Sequence, residues 1–206
     1  MTITRPGKIV CVGRNYRDHA KEMGNDVPKE PLIFLKPSSS VIATGEAIVL
    51  PQQSVHVEHE GEIGVVISKT LRRATTDEAR KGVGKIVAAN DVTARDLQRS
   101  DSQWTRAKGF DTFCPLGEPG NPPDDLENLT VVTRVNGVER QRGKGSDMVF
   151  SIPDVLAYIS HVMTLEPGDL VLTGSPAGVG KLSPGDEVEV EVLGVSRVRN
   201  PVTADA

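Results

Sequence analysis

Apolar residues occur along this chain in short runs, not in long helical stripes. "KIVCVG", "PLIFLKP", "KIVAAND" and "TVVTRV" each hold a few aliphatic residues between polar or turn-forming ones, the pattern of buried strands. Strands are therefore predicted at Ile9–Val12, within "PLIFLKP" up to Pro37, and in "KIVAAND" up to Asp91. "SSSVIATGEAIVLP" reads as a loop and then a strand, and His59 to Ile67 as one strand. Asn136-Gly137 between "TVVTRV" and "VERQRG" predicts a hairpin closed by a type I′ turn. "EPGDLVLTG" and "SPGDEVEVEV" each place Pro-Gly before a strand, as a type II turn requires, and are expected to be neighbours in one sheet. "CPLGEPGNPPDDLENL" is rich in Pro, Gly and Asp and reads as a surface loop.

Helical signals are fewer and shorter. "RNYRDHAKEMGN" suits a short helix ended by Gly24 and Asn25. "TTDEARKGV" has Thr75 or Thr76 as N-cap and acids in its first turn, and "VTARDLQ" begins another short helix. "SIPDVLAYISHVM" is a helix capped by Ser151 with Pro153 in its first turn. Strands outnumber scattered helices, so the expected class is a β-rich α+β fold forming one domain over residues 1–206.

Composition narrows the function. Aromatic residues are 3% and the net charge is −4, which argues against base stacking or a broad basic patch and so against nucleic acid. No apolar run is long enough for a membrane span, no secretory leader pattern is visible, and Cys11 and Cys114 form no close-spaced metal or redox motif. A cytoplasmic setting fits these features.

The chemistry concentrates in "EHEGEIG", residues 58–64. In one strand Glu58, Glu60 and Glu62 would share a face, about 6.5–7 Å apart. Such alternation is commonly just a solvent face, and Glu58 is the glutamate expected to be merely exposed. Beside a buried run, however, paired carboxylates conflict unless a divalent cation joins them, and hard oxygen donors suit Mg²⁺, Mn²⁺ or Ca²⁺. Asp91, at the end of a strand, is the expected third ligand, with Thr93 and Asp96 as alternatives. His59 falls on the other face and is expected to be structural. His19 and Glu22 are spaced i, i+3, so a helix would set a carboxylate beside an imidazole and orient it as a base toward water. Arg14, Asn15 and Tyr16 follow Gly13 and can reach a carboxylate substrate. "LTGSPAGVG" offers closely approachable backbone N–H groups, but no serine elbow or phosphate-loop lysine is present.

Eight stretches in order, "VCVGRNYRDHAKEMG", "PLIFLKP", "HEGEIGVVI", "NDVTARDLQ", "AKGFDTFCPLG", "VNGVERQ", "DMVFSIPDVLAYIS" and "GDLVLTGSPAGVG", resemble the fumarylacetoacetate hydrolase family, most of all its short acylpyruvase-like members. The resemblance implies a rolled mixed β-sheet with short helices around a divalent-metal cleft, like that family's C-terminal domain, usually in a homodimer. It puts Mg²⁺ or Mn²⁺ (Ca²⁺ in some crystals) on Glu60, Glu62 and Asp91, a water-activating dyad on His19 and Glu22 of a lid, and an active-site lysine at Lys108. Arg14, Gln98, Thr173 and Gly174 match positions near the bound keto acid, and Lys36 is a weaker match. The implied activity is hydrolysis of the C–C bond of 3-acylpyruvates such as fumarylpyruvate, within aromatic catabolism. Oxaloacetate decarboxylation and isomerisation of a 2-oxo diacid are alternatives on the same site, and a non-catalytic binder is a further one. Glu58 stands where close relatives often have His, Ser175 where Thr is common, and the loop 117–128 is expected to set substrate choice.

Overall fold

The strand Ile9–Gly13 lies at the crossing of the architecture. In a computed structural model describing residues 5–22 and 28–205, it pairs antiparallel with Leu32–Lys36 and parallel with Leu170–Leu172. Leu170–Leu172 in turn pairs antiparallel with Gly61–Ile67, which pairs antiparallel with Val83–Asn90. This makes a five-stranded mixed sheet that brings the chain's beginning, its glutamate motif and its C-terminal glycine-rich loop side by side. A second five-stranded sheet orders Val138–Lys144, Thr130–Val135, Glu187–Val192, Ser196–Ala204 and Ile48–Leu50. Val57–His59 joins Gly180–Lys181 and Thr93–Ala94 in a three-stranded patch between them.

The side chains explain the layering. Ile63, Val65 and Ile67 alternate along their strand and meet Ile86 and Ala88, the helix residues Val155, Leu156 and Ile159, and the second sheet's Val131, Val190 and Val198 in one buried cluster. Each buried Val, Leu or Ile among them contributes about 1.5–3 kcal/mol. The helix Ile152–Val162 is capped by Ser151, whose hydroxyl accepts the Asp154 N–H, and the helix Thr76–Arg80 carries a capping box on Thr75 and Glu78. Asn136 and Gly137 both have positive φ, as a type I′ turn demands. Among the described residues no helix is long and apolar enough to cross a membrane.

The structure departs from the sequence expectations at four places, and one further expectation runs past the described residues. Residues 59–67 are not one strand: Val57–His59 and Gly61–Ile67 belong to different sheets, because the Glu60 backbone pairs with the Asn90 side chain and with the Asp91 N–H. The two Pro-Gly turns lead into different sheets, Leu170–Leu172 in the first and Glu187–Val192 in the second. Thr93–Ala94 is extended, and the helix begins only at Arg95. Cys114–Pro115 pairs with Val41–Ile42, so the expected surface loop starts in the core. The helix of the "RNYRDHAKEMGN" segment spans Arg17–Glu22, while Gly24 and Asn25 lie outside the described residues.

Candidate metal centre and active site

Antiparallel pairing of Gly61–Ile67 with Val83–Asn90 closes the sequence gap between the two halves of the acidic site. Gly61 faces Asn90 and Glu62 faces Ala89, so Asp91 emerges beside Glu60, and the Asp91 N–H donates to the Glu60 carbonyl at 2.8 Å. Glu60, Glu62 and Asp91 are buried, and one carboxylate oxygen of each lies within 4.8 Å of the others.

Three cations surround these acids. Lys36 Nζ donates to Asp91 Oδ1 at 2.7 Å. Lys108 Nζ lies 2.5 Å from Asp91 Oδ2 and 2.9 Å from Glu60 Oε2. Arg95 donates through Nε to Glu58 Oε2 at 2.7 Å, through Nη2 to Glu60 Oε1 and through Nη1 to Gln98. Four carboxylates thus face three cations. Burial works against the charged form of Lys108 and of Arg95, but the adjoining acids hold both pKa values above the ordinary range. Glu62 has the opposite fate: burial, then the neighbouring Asp91 and Glu60 charges, push its pKa up. Its carboxylate accepts the Gly174 N–H at 2.7 Å, and no basic side chain among the described residues forms an ion pair with it. The four acids leave one formal negative charge in excess of the three cations, and the three of them that gather within 4.8 Å are a donor set that fits a hard divalent cation such as Mg²⁺ or Mn²⁺.

The loop after Leu172 grips this cluster through its backbone. Gly174 has φ of 103°, and a Cβ there would stand 2.7 Å from the Asn15 Cβ, so only glycine aims this N–H at Glu62. Asn15 ties the N-terminal segment down, its Nδ2 donating to Thr173 O and Phe150 O and its Oδ1 accepting the Phe150 N–H. Glu22, on the helix Arg17–Glu22, accepts the Gly178 N–H at 3.1 Å.

The acids open into a cleft of about 360 Å³ whose lining includes Arg14, Glu22, Gln98, Lys108 and Ser175, with Phe34 and Trp104 in an edge-to-face pair. The structure brings Glu60, Glu62, Asp91, Lys108, Arg14, Gln98 and Glu22 together. His19 lies on the same short helix as Glu22, but its side chain is outside the described residues. Three expected substrate contacts stand elsewhere. Lys36 is buried behind Asp91 and also donates to Val92 O, Thr173 turns its hydroxyl onto Ile63 O, and the Gly174 amide is spent on Glu62. Within the chain, no residue of 117–128 lines the cleft, so the expected role of that loop in substrate choice has no support in this geometry. Glu58 is not the exposed bystander expected, since it is 8% exposed and paired with Arg95 and His56.

Two residues escaped the sequence reading. Arg95 binds both Glu58 and Glu60. Gln141, on the second sheet, is fully used: Oε1 accepts from His59 Nδ1 and the Gly61 N–H, while Nε2 donates to Ser175 Oγ and Pro176 O. It clamps the ligand strand to the glycine-rich loop. Burial lowers the pKa of the neighbouring His59, which keeps that structural imidazole neutral. The "VNGVERQ" stretch was the one available signal for Gln141.

The family model of the fumarylacetoacetate (FAA) hydrolase C-terminal domain matches residues 8–203. The chain belongs to the fumarylacetoacetate hydrolase family. A family relative from Arabidopsis thaliana, oxaloacetate tautomerase FAHD1, mitochondrial, is 44% identical over 198 residues, covering 93% of this chain and 89% of its own. The crystal structure of 5-carboxymethyl-2-hydroxymuconate delta-isomerase from Mycobacterium smegmatis superposes with a TM-score of 0.91 at 42% identity, covering 98% of this chain and 80% of that one. That of fumarylpyruvate hydrolase from Pseudomonas aeruginosa, in complex with Mn²⁺ and pyruvate, gives 0.90 at 28% identity, covering 96% and 90%. The mixed sheets and short helices seen here are this family's architecture.

Proposed function

We propose that the protein is a divalent-metal-dependent enzyme that binds a small 2-oxo diacid and forms its enolate, with keto–enol tautomerisation or isomerisation as the favoured outcome. The observation that carries this reading is the three-carboxylate cluster at the floor of a cleft whose lining also carries Arg14, Lys108 and Gln98. The preference for isomerisation over hydrolysis rests on relatives: those named for tautomerase and isomerase activities are 40–45% identical and the fumarylpyruvate hydrolase 28%, while a relative named oxaloacetate decarboxylase, at 43%, supports decarboxylation as well.

A divalent cation held by Glu60, Glu62 and Asp91 supplies Lewis-acid polarisation of a 2-oxo group and stabilisation of the enolate. Lys108, kept cationic by Glu60 and Asp91, offsets negative charge developing beside it. Phe34 and Trp104 wall the cleft with apolar surface, which strengthens those electrostatic effects by excluding water. Arg14 offers a guanidinium for a substrate carboxylate.

C–C hydrolysis of a 3-acylpyruvate is the second reading. It is favoured by Glu22, which lines the cleft on the helix that carries His19, the pair that would take a proton from water. Oxaloacetate decarboxylation is a third outcome of the same enolate chemistry. Enol-oxaloacetate loss, pyruvate release from acetylpyruvate and fumarylpyruvate, and CO₂ release from oxaloacetate, each with Mn²⁺ and with excess chelator, separate the three. Chelator-sensitive enol loss without pyruvate release is the expected result. Metal binding with no turnover of any substrate overturns the enzyme reading and leaves a binding protein. We place the reaction in the cytoplasm, which cell fractionation tests, and in a homodimer, which light scattering tests.

A further inference from the structure

We propose that Glu58 is a positioning residue for the metal centre: it holds the Arg95 guanidinium so that Glu60 can turn toward a divalent cation. This rests on the metal-site reading above.

Both Glu60 oxygens are engaged by cations, Oε1 by Arg95 Nη2 and Oε2 by Lys108 Nζ. Each oxygen keeps a lone pair for a dication, but the two donors compete with that cation for the carboxylate unless they find other acceptors. Lys108 already has a second acceptor in Asp91 Oδ2. The second acceptor of Arg95 is Glu58, at 2.7 Å from Nε, with Gln98 on Nη1. Glu58 stands outside the triad whose oxygens lie within 4.8 Å of one another. Its other oxygen, Oε1, lies 2.8 Å from His56 Nε2, which holds the carboxylate at the Nε end of the guanidinium. Arg95 is 2% exposed, so little water is at hand to replace Glu60 as a partner of its guanidinium. With the Glu58 carboxylate in place, the guanidinium keeps a full negative partner and can rest on it through a two-point contact. Without that carboxylate, Arg95 has Glu60 as its one anionic partner among the described residues and competes with the cation for it. The third glutamate of the "EHEGEIG" motif therefore acts through Arg95, not as a ligand.

The test is Mn²⁺ affinity of the whole protein without substrate, read from the free-Mn²⁺ electron paramagnetic resonance signal. Thermal melts in chelator confirm that each variant is folded. Glu58→Gln is expected to weaken Mn²⁺ binding at least ~10-fold. Arg95→Gln is expected not to weaken it, and in the double variant the Glu58→Gln effect vanishes. Glu58→Asp keeps the charge but withdraws the carboxylate by one methylene, so it too is expected to weaken binding. That variant decides the matter should Arg95→Gln not fold. Glu58→Gln within twofold of the unaltered protein overturns the proposal. So does a Glu58→Gln loss that persists without Arg95, or a Glu58→Asp variant of full affinity, because either makes Glu58 a plain through-space charge. If the unaltered protein does not bind Mn²⁺, the metal-site reading itself falls, and this proposal with it.

Discussion

Replacing Lys36 with Met tests whether the acidic cluster is held in its metal-free form by buried counter-charge. The Lys36 Nζ lies 2.7 Å from Asp91 Oδ1, with side chains 0% and 1% exposed, and also donates to Val92 O at 3.2 Å. Methionine keeps most of the aliphatic stem but leaves Asp91 with Lys108 as its remaining counter-charge. Breaking a buried pair by removing one partner costs about 3–5 kcal/mol, and the surviving lysine puts this case near the lower end. For a chain of this size, about 3 kcal/mol corresponds to a melting-point loss of roughly 6–12 °C. The deficit should appear in full in chelator and narrow in excess Mn²⁺, because a bound dication replaces the lost charge beside Asp91. Mn²⁺ at about 100 times its dissociation constant also stabilises any competent form by about 2.7 kcal/mol, so unaltered protein must be measured under both conditions. Urea denaturation of both proteins, with chelator and with Mn²⁺, gives the four free energies. A deficit under about 1 kcal/mol in chelator, or one that metal leaves unchanged, would refute the reasoning.

Other predictions follow from single contacts. Glu62→Gln should abolish detectable Mn²⁺ binding by calorimetry while leaving the protein folded, since its carboxylate leans on a backbone amide and not on a cation. Gly61→Ala should destabilise by about 1–3 kcal/mol or more in urea, because the new Cβ would sit 1.9 Å from the Thr133 hydroxyl. Gln141→Leu strips partners from the buried Gly61 N–H and Pro176 O, so it should cost at least about 2 kcal/mol and speed exchange of the Gly61 amide by NMR. Burial alone would raise the Glu189 pKa, but hydrogen bonds from Arg199 and Arg134 prevail and hold it below the ordinary 4.5. Its contribution to stability is thus present above that pH and lost as pH falls through the lowered folded-state value. Acid titration of Glu189→Gln should show a flatter stability loss below about pH 4.5; an unchanged limb would exclude Glu189 as a contributor.

Features governed by near neighbours were legible in the chain itself. The Asn136-Gly137 turn, the Ser151 and Thr75 caps and the two Pro-Gly turns depend on local dihedrals and on hydrogen bonds spanning a few residues. The glutamate motif was legible for a related reason, because like charges beside an apolar run are locally inconsistent and call for an explanation. What it lacked was any local mark for its partners. Arg95 lies 35 residues from Glu60, and Gln141 lies 80 from Gly61.

The same limit explains the misreadings. Glu58 looked exposed because strand alternation says which face a side chain takes but not what covers that face. Thr173 and, more weakly, Lys36 were expected at the substrate because they match family positions near the bound keto acid, yet here their side chains turn to Ile63 and Asp91. By itself the sequence determined most of the elements, their turns and the acidic ligand candidates, which follow from residue type and short spacing, and its eight ordered stretches carried the family resemblance. Only the tertiary structure decided that the ligand strand breaks at Glu60, that three buried cations stand against four acids, and that Glu58 belongs to Arg95. Those outcomes depend on which strands pair across the sheets and on the charge balance of a dry interior, to which no short window of sequence gives access.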